Sequence, residues 1–226
     1  MAHEKKPLAN PSPEADRVAE KMLNSLHQAQ WDSTQYLEWS FRYKNHYFWD
    51  KERHFVEVRW DDIKVLLHTK TLSGKVFQND QELSGKAADK HLQKAWSSFC
   101  NDSFWLSAPM KAFDPGTSRS LVTLKDGREG LMVQYESGGV TPGDAYVWIL
   151  DENHRPEAFK MWVSIIPIGG VEAKWSQWEP IESGALIARK RFLLENTEIP
   201  LTNIKGGNRL ALFERSSDPF RLLEKQ

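Results

Sequence analysis

Histidine is the residue type in this chain best suited to proton transfer and metal binding. No two of the seven histidines stand three or four positions apart, the spacing that brings two imidazoles to one face of a helix. His46, His54 and His68 fall in neighbouring segments with strand character, where they could converge on a metal ion. Asp50 or Asp61 would then complete the ligands. None of the usual ligand spacings is present, so we interpret these histidines as ordinary polar positions and predict no metal site.

Short sequence motifs of catalysis are absent. Residues 73–75 and 84–86 both contain Ser-Gly-Lys, but a phosphate-binding loop needs a glycine five residues before its Gly-Lys pair. Thr69 and Asp80 stand at those positions, and no GxSxG, HExxH or EF-hand pattern occurs. Cys100 is the single cysteine, and we expect it to be a buried, inert thiol. We therefore predict no catalytic residue, no cofactor and no enzymatic activity.

Charge balance and hydropathy exclude two classes of protein. The chain of 226 residues has a net charge of −1 and a mean hydropathy of −0.60. Lysine and arginine are spread along the chain without a basic block, so we predict no nucleic-acid partner. No apolar run is long enough to form a transmembrane helix.

The length and the first residues set expectations for domains and compartment. We predict a disordered polar segment over 1–11 and a single domain over 12–226. The first ten residues lack the apolar core of a signal peptide. We expect a periplasmic protein or a membrane-attached lipoprotein if a leader was removed, and a cytoplasmic protein otherwise.

Aromatic residues are concentrated in residues 36–60 of this tryptophan-rich chain, which contains ten tryptophans. In much of this stretch apolar and polar residues alternate, which places the two sets on opposite faces of a β-strand. Short polar turns at 50–52 and 61–62 separate the strands, as in an antiparallel meander. The aromatic residues of the stretch are Tyr36, Trp39, Phe41, Tyr43, Tyr47, Phe48, Trp49, Phe55 and Trp60.

Helical periodicity interrupts the predicted strands twice. An amphipathic helix is predicted over 12–30, with Ser12 as its N-cap, and a second helix over 84–101. Residues 102–120 form an irregular apolar segment that would close the core or act as a lid. Strands return from residue 121, and Leu201 lies in a predicted edge strand before a last strand over 210–214. The pattern predicts an α+β fold, mostly antiparallel β.

This order of elements resembles the lipoprotein-carrier fold of LolA- and LolB-type proteins and RseB-type regulators, over about residues 13–194. The resemblance implies a strongly curved antiparallel sheet, or half-barrel, whose concave face is covered by the N-terminal helix, a second helix and a loop. It also implies an apolar cavity that accepts acyl chains. The local strings similar to uncharacterised Bacteroidetes-type members are Trp105-Leu106 with Pro109, Lys111, Asp114 and Gly116, and the hairpin over 146–162.

A curved sheet with aromatic side chains on its concave side forms a ligand pocket of the usual kind. We predict a cavity for a hydrophobic small molecule or lipid, with a lipoprotein or a membrane-associated protein as a further partner. Strand alternation alone assigns the lining, so a slip of one residue would move a strand's whole set to the other face. The predicted lining is Trp39, Phe41, Tyr43, Trp49, Val58, Trp60, Trp105, Met110, Val133, Trp148, Trp162 and Trp175.

Three functions compete at this stage. The first is non-enzymatic binding of a lipid or lipoprotein acyl chain, in periplasmic transport or sensing. The second is a hydrolase that uses histidines and carboxylates on the polar strand face, with His46 and His54 as its candidates. The third is a carbohydrate-binding module with tryptophan platforms. Exposed, coplanar tryptophans would favour the third function, whereas buried ones favour the first.

Overall fold

The computed structural model describes residues 3–137 and 143–224, which form two compact units. Unit 1 comprises Met1–Ala29, Ser107–Glu179 and Leu186–Ile199. Unit 2 comprises Gln30–Leu106, Pro180–Ala185 and Pro200–Gln226. The single domain over 12–226 stays a prediction. The sequence also predicts that Gly138, Gly139 and Pro142 interrupt the later strands, and these positions lie outside the described residues.

The sheet of unit 2 is antiparallel, and its strand order is β14-β1-β2-β3-β4-β5-β6. The meander predicted from the aromatic stretch is confirmed, because β1 to β4 pair in sequence order. The last strand of the chain pairs with the first one, β1. The strands are β1 (Tyr36–Phe41), β2 (Asn45–Asp50), β3 (Phe55–Trp60), β4 (Ile63–His68), β5 (Gly74–Gln78), β6 (Gln81–Leu83) and β14 (Leu201–Gly207).

The sheet of unit 1 is also antiparallel, with the order β13-β12-β11-β10-β9-β8-β7. The α+β class and the mostly antiparallel pairing are confirmed, and the strands are shared between two sheets of seven. The strands are β7 (Thr117–Thr123), β8 (Glu129–Tyr135), β9 (Ala145–Leu150), β10 (Pro156–Trp162), β11 (Val171–Pro180), β12 (Leu186–Leu193) and β13 (Thr197–Glu198).

The helices differ from the predicted ones at their ends. The described helices are α1 (Pro13–Ser25), α2 (Gln28–Ser33), α3 (Gly85–Ser107) and the short 3-10 helices Ala108–Lys111 and Leu210–Phe213. The helix predicted over 12–30 divides at His27, whose φ of 59° is left-handed and breaks a right-handed helix. Helix α3 continues through the first part of the predicted loop, because Leu106 extends the buried stripe that includes Phe99. The strand predicted over 210–214 is a 3-10 helix instead.

Helix α1 begins at a side-chain cap, as its sequence predicts. The Ser12 hydroxyl accepts a hydrogen bond from the backbone N–H of Ala15 at 3.2 Å, and Pro13 occupies the first turn. Ala15, Ala19 and Met22 lie on the buried face of the helix. The cap and the apolar face together fix where α1 starts and which side packs on unit 1.

Replacing Ser12 with alanine is expected to lower the free energy of unfolding by about 1 kcal/mol, because one N–H of the first turn loses its acceptor. Urea unfolding followed by circular dichroism measures this difference. Ser97→Ala, at an exposed position of α3, is the control and should leave the stability within about 0.5 kcal/mol of the parent. Equal stability of the Ser12→Ala protein and the parent would show that the cap is dispensable.

The N-terminal residues lie against the sheet of unit 1, although the sequence predicts disorder there. The backbone N–H of Glu4 donates to the carbonyl of Gly169 at 3.0 Å, and its own carbonyl accepts from Trp162 Nε1 at 2.9 Å. The Glu4 carboxylate receives Lys160 Nζ at 3.0 Å. Ala9 packs against the buried apolar cluster that contains Trp162. This segment therefore covers one face of the sheet.

The C-terminal residues cover one face of the unit 2 sheet. Phe213 and Phe220 are buried in a cluster with Tyr36, Phe48 and Phe55, which project from β1, β2 and β3. Successive side chains of a strand point to opposite faces, so this cluster lies on the side away from Trp39 and Trp49. The sheet of unit 2 is thus covered by different segments on its two faces.

Candidate functional site

One face of the unit 2 sheet carries part of the predicted aromatic lining, and helix α3 fills it. The Trp39 ring stacks on Tyr47 with 4.6 Å between centroids, and Trp49 meets Phe99 of α3 edge-on at 5.2 Å. Trp60 lies beside His91 of the same helix, at 5.8 Å between rings. The space over this face is therefore occupied by the protein's own side chains.

The remaining predicted residues of unit 2 have mixed positions. Phe41 and Val58 are buried on the strands, and Trp105 is half-buried on α3. Tyr43 is 72% exposed, because it lies in the turn after β1 with a φ of 57° rather than on the strand. Strand alternation ends with β1 at Phe41, so it does not assign Tyr43 to the lined face.

A carboxylate fixes α3 to this face of the sheet. Asp102 accepts hydrogen bonds from the Tyr47 hydroxyl at 2.5 Å and from Asn45 Nδ2 at 2.8 Å, and Asn101 Nδ2 donates to its other oxygen. Burial raises the pKa of Asp102 above the ordinary value of 3.8, and these three hydrogen bonds offset the shift only in part. Asp102 is thus a positioning residue of the core.

The raised pKa of Asp102 predicts a pH dependence of stability. Below the ordinary carboxyl pKa the group is neutral in both states; as the pH rises through the raised pKa, the unfolded state ionises first and the folded state loses stability. Asp102→Asn should abolish this loss, so the parent should lose more stability than the variant between about pH 4 and pH 7. Urea unfolding across this range measures it, with Asp89→Asn, exposed on the same helix, as control. Parallel stability curves for parent and Asp102→Asn would contradict the expectation.

In unit 1 the predicted lining residues separate onto two faces of the sheet. Val133, Trp148 and Trp175 share one face, with 5.6 Å between the rings of Trp148 and Trp175. Trp162 pairs with Ala145 and therefore lies on the opposite face, against the N-terminal segment. Met110 is half-buried in a 3-10 helix. The assignment of all twelve residues to a ligand cavity stays a prediction.

Six aromatic rings cross the unit 1 sheet from β8 to β11 in a continuous series, which we call the aromatic ladder. Neighbouring rings are 4.9 to 5.8 Å apart, mostly edge to face. The central rings are buried, and those at both ends are half-buried. The ladder consists of Tyr135, Tyr146, Phe159, Trp148, Trp175 and Trp178.

A buried arginine stands at the ladder. Arg191 of β12 is 0% exposed, and its guanidinium carbon lies 5.0 Å from the centroid of the Trp175 ring. None of its three guanidinium nitrogens has a hydrogen-bond partner among the residues that the structure describes. Trp175 Nε1 is likewise buried without an acceptor in this part of the chain. The guanidinium and indole N–H groups thus form a cluster of donors that lacks acceptors.

The electrostatics of Arg191 follow from this environment. Burial, and to a smaller degree the charge of Arg189, lowers the pKa of Arg191 to about 9. The guanidinium therefore remains charged at neutral pH. A buried charge without a partner is strongly unfavourable, and the face of Trp175 compensates for only part of the lost hydration. The site favours any group that brings negative charge or acceptor oxygens to Arg191.

Sequence reasoning missed Arg191 because its neighbours conceal it. The residue ends the run Arg189-Lys190-Arg191, and such a run is typical of a solvated strand. Only the place of β12, between β11 and β13, brings the guanidinium onto Trp175. No local pattern in the sequence carries that information.

The three histidines that could converge on a metal ion, His46, His54 and His68, do not come together. His54 and His68 have 6.4 Å between their ring centroids, whereas His46 pairs with Arg59 at the other end of β2. In the ranges 3–137 and 143–224, no group of three or more His, Cys, Asp or Glu side chains could hold a metal ion. The hydrolase alternative therefore depends on His46 with neighbours other than His54.

Tryptophan exposure separates two of the competing functions. Each of the ten tryptophans is buried or half-buried, so none offers an open platform of the kind that stacks on sugar rings. This burial favours a ligand held within a unit over a carbohydrate platform.

Among the described helices, none is both long and apolar enough to cross a membrane.

Comparisons with known proteins give a distant structural similarity. No family model matches the chain, and no curated protein matches it. Among solved structures, the chain is similar to a DUF1329 family protein from Desulfovibrio piger, with 12% sequence identity and a TM-score of 0.44. The alignment covers 92% of this chain and 99% of that protein.

Proposed function

We propose that unit 1 binds a hydrophobic ligand whose head group carries acceptor oxygens, such as a lipid carboxylate or the acyl group of a lipoprotein. The observation that carries this proposal is Arg191, a fully buried cation without a hydrogen-bond partner in the described structure. Binding changes no covalent bond of the ligand, so unit 1 acts as a carrier or a sensor.

The head group is inferred from the donors that lack acceptors. A guanidinium offers five N–H groups in a planar fork, which matches the two oxygens of a carboxylate. Trp175 Nε1 adds a donor beside it. Charge-assisted hydrogen bonds in a dry site are stronger than the same bonds in water, so an acidic head group gains most where Arg191 now has none.

The apolar part is inferred from the aromatic ladder. Trp148, Phe159 and Trp175 bring a continuous apolar surface up to the guanidinium. Trp178 is half-buried and stands next to Trp175 at 5.8 Å, so it marks the side from which a chain reaches Arg191. An acyl chain along these rings replaces ring-to-ring contacts by contacts of similar strength.

A carrier-like role accords with the resemblance of the element order to the lipoprotein-carrier fold. In that role the protein works in the periplasm or at a membrane surface, and it exchanges its ligand with a lipoprotein or a membrane-associated protein. The ligand class, not the compartment, is what Arg191 and the ladder support.

Quenching of tryptophan fluorescence by brominated lipids tests the proposal, because bromine quenches only rings that it touches. A mid-chain brominated fatty acid should quench in a saturable manner, its methyl ester more weakly, and the alkylamine of equal length least. The ranking follows from Arg191. Acid and ester both bring acceptor oxygens to the guanidinium, but only the acid also brings a negative charge. The protonated amine is repelled by the guanidinium. Native mass spectrometry then gives the stoichiometry.

Two controls locate the ligand. Trp175→Phe keeps a ring over Arg191 and removes the reporter, so the amplitude of quenching by the acid should fall. Trp96→Phe removes a tryptophan of unit 2, so quenching by the acid should not fall in this variant. Equal quenching by acid and amine, or no saturable quenching at all, would refute the proposed function.

A further inference from the structure

A second candidate site lies in unit 2, on the sheet face that bears Ser40 and His46. It is a polar cavity of about 280 Å³, near the lower limit for small-molecule sites. Strands β1, β2, β3 and β14 and the C-terminal segment supply its walls. Its lining includes Ser40, His46, Asn203, Lys205 and Arg215.

Ser40 stands between an imidazole and an amide in this cavity. Its Oγ is 2.8 Å from His46 Nδ1 and accepts a hydrogen bond from Asn203 Nδ2 at 3.2 Å. Because the amide uses an acceptor position of the oxygen, the hydroxyl hydrogen is left to point at Nδ1. With the other ring nitrogen of His46 protonated, Nδ1 is the acceptor, which is the arrangement of a hydroxyl nucleophile and its base.

A bulge in the edge strand produces this arrangement. The β1–β14 register pairs Glu38 with Lys205 but Ser40 with Thr202, so β14 has one residue more than β1 between these pairs. Asn203 lies in the bulge with a left-handed φ of 54°, which turns its side chain onto Ser40. Asparagine adopts left-handed backbone more readily than most residues, so the bulge is compatible with its position.

Three cationic side chains line the same cavity as Ser40 and His46. Glu57 is buried and receives Arg59 Nε at 2.9 Å and Arg215 Nη2 at 2.8 Å, which holds both guanidinium groups at the cavity. Lys205 adds a third positive charge to the lining, and the carboxylates of Glu38 and Glu57 contribute two negative charges. The lining therefore has an excess of one positive charge, which favours an anionic substrate and the oxyanion of an acyl transfer.

We propose that Ser40 is a nucleophile activated by His46 as general base, and that the cavity hydrolyses small esters whose acyl group carries a negative charge. Asn203 is a positioning residue that orients the hydroxyl. This activity is separate from ligand binding in unit 1, and it extends the function of the chain beyond binding. The triad of a serine hydrolase contains an acid partner for the histidine, whereas this proposal assigns none to His46. We therefore expect a slow enzyme.

The reaction balances without a cofactor. Ser40 Oγ forms a bond to the ester carbonyl carbon while its proton passes to His46 Nδ1. The tetrahedral intermediate collapses, the bond from carbon to the leaving oxygen breaks, and the imidazolium gives its proton to the leaving alkoxide. Water then attacks the acyl-serine by the same route, which releases the acid and restores Ser40 and His46.

Labelling with a fluorophosphonate tests the nucleophile directly, since such probes phosphonylate activated serines and release fluoride. Peptide mass spectrometry should place the label on Ser40 and leave the exposed Ser73 unmodified. His46→Gln should slow labelling by about 100-fold or more, the usual contribution of a general base. A label on several serines alike, or no label on Ser40, would overturn the proposal.

Turnover of two nitrophenyl esters tests the substrate class. The hydrogen terephthalate ester, whose carboxylate cannot reach its own ester carbonyl, should be hydrolysed faster than the uncharged benzoate ester, and Ser40→Ala should abolish the difference. Asn203→Ala should lower kcat and leave KM nearly unchanged, because the amide orients the hydroxyl. Equal rates for the two esters, or an unaltered Ser40→Ala enzyme, would exclude this assignment. If Ser40→Ala does not fold, the mass of the acyl-enzyme formed by the parent decides.

Discussion

Replacing Arg191 with methionine is expected to raise the free energy of unfolding of the ligand-free protein by about 1 to 4 kcal/mol. The change removes a buried charge that has no hydrogen-bond partner among the described residues and fills the same space with an unbranched apolar chain. Most substitutions of buried residues destabilise a protein, so a gain of this size would be diagnostic. Urea unfolding without added ligand measures it.

The same substitution should remove ligand binding. A brominated fatty acid that quenches the parent should no longer quench Arg191→Met, and added fatty acid should raise the Tm of the parent only. Stability and binding thus change in opposite directions, which a purely structural arginine cannot produce. Loss of several kcal/mol in Arg191→Met would show instead that the guanidinium stabilises the fold.

Arg189→Met is the matched control. Arg189 stands two residues earlier on β12, is partly exposed, and has an ion pair with Glu179 at 3.2 Å. Removal of this arginine deletes a charge of the same kind from the same strand. We expect its stability to change by about 1 kcal/mol or less and fatty-acid quenching to persist.

Truncating Phe220 to alanine is expected to cost about 3 to 5 kcal/mol, the usual loss for a buried phenylalanine. The ring is 0% exposed, stacks on Phe48 with 5.9 Å between centroids, and contacts the tilted ring of Phe55 at 5.5 Å. Beside it, Asp218 holds Arg53 through two hydrogen bonds of 2.7 and 2.9 Å. Without the ring, the C-terminal segment should detach and expose the apolar face of β1 to β3.

Two measurements check the Phe220 prediction. Urea unfolding gives the loss in stability, and limited trypsin digestion should cleave at Arg215 and Arg221 much faster in the variant. Leu222→Ala, at a position that is half-exposed in the same segment, is the control and should leave both readouts close to the parent. Similar digestion rates for Phe220→Ala and parent would mean that the segment is held by its ion pairs alone.

The local part of the fold was predictable from sequence. Strands β1 to β4 follow from alternation and from polar turns at Lys51 and Asp61, and α1 follows from Ser12 and Pro13. These signals act between residues close together in the chain, so a single sequence contains them. The α+β class follows from the same signals.

The non-local part was not predictable. Nothing near Leu201 indicates that β14 joins β1 or that the strands divide between two sheets. The candidate sites depend on these pairings, because β11 and β12 bring Trp175 to Arg191 and the β14 bulge brings Asn203 to Ser40. A basic strand position and a serine on a strand have no local signature of function.

The pairing of β14 with β1 has a consequence during synthesis. Tyr36–Phe41 leaves the ribosome long before Leu201–Gly207, so β1 is an unpaired edge while most of the chain is made. An open edge with buried aromatic residues beside it is a template for pairing between nascent chains. Slower elongation should therefore raise misassembly on polysomes, and a circular permutant that begins at β14 should express with less aggregation than the native chain order.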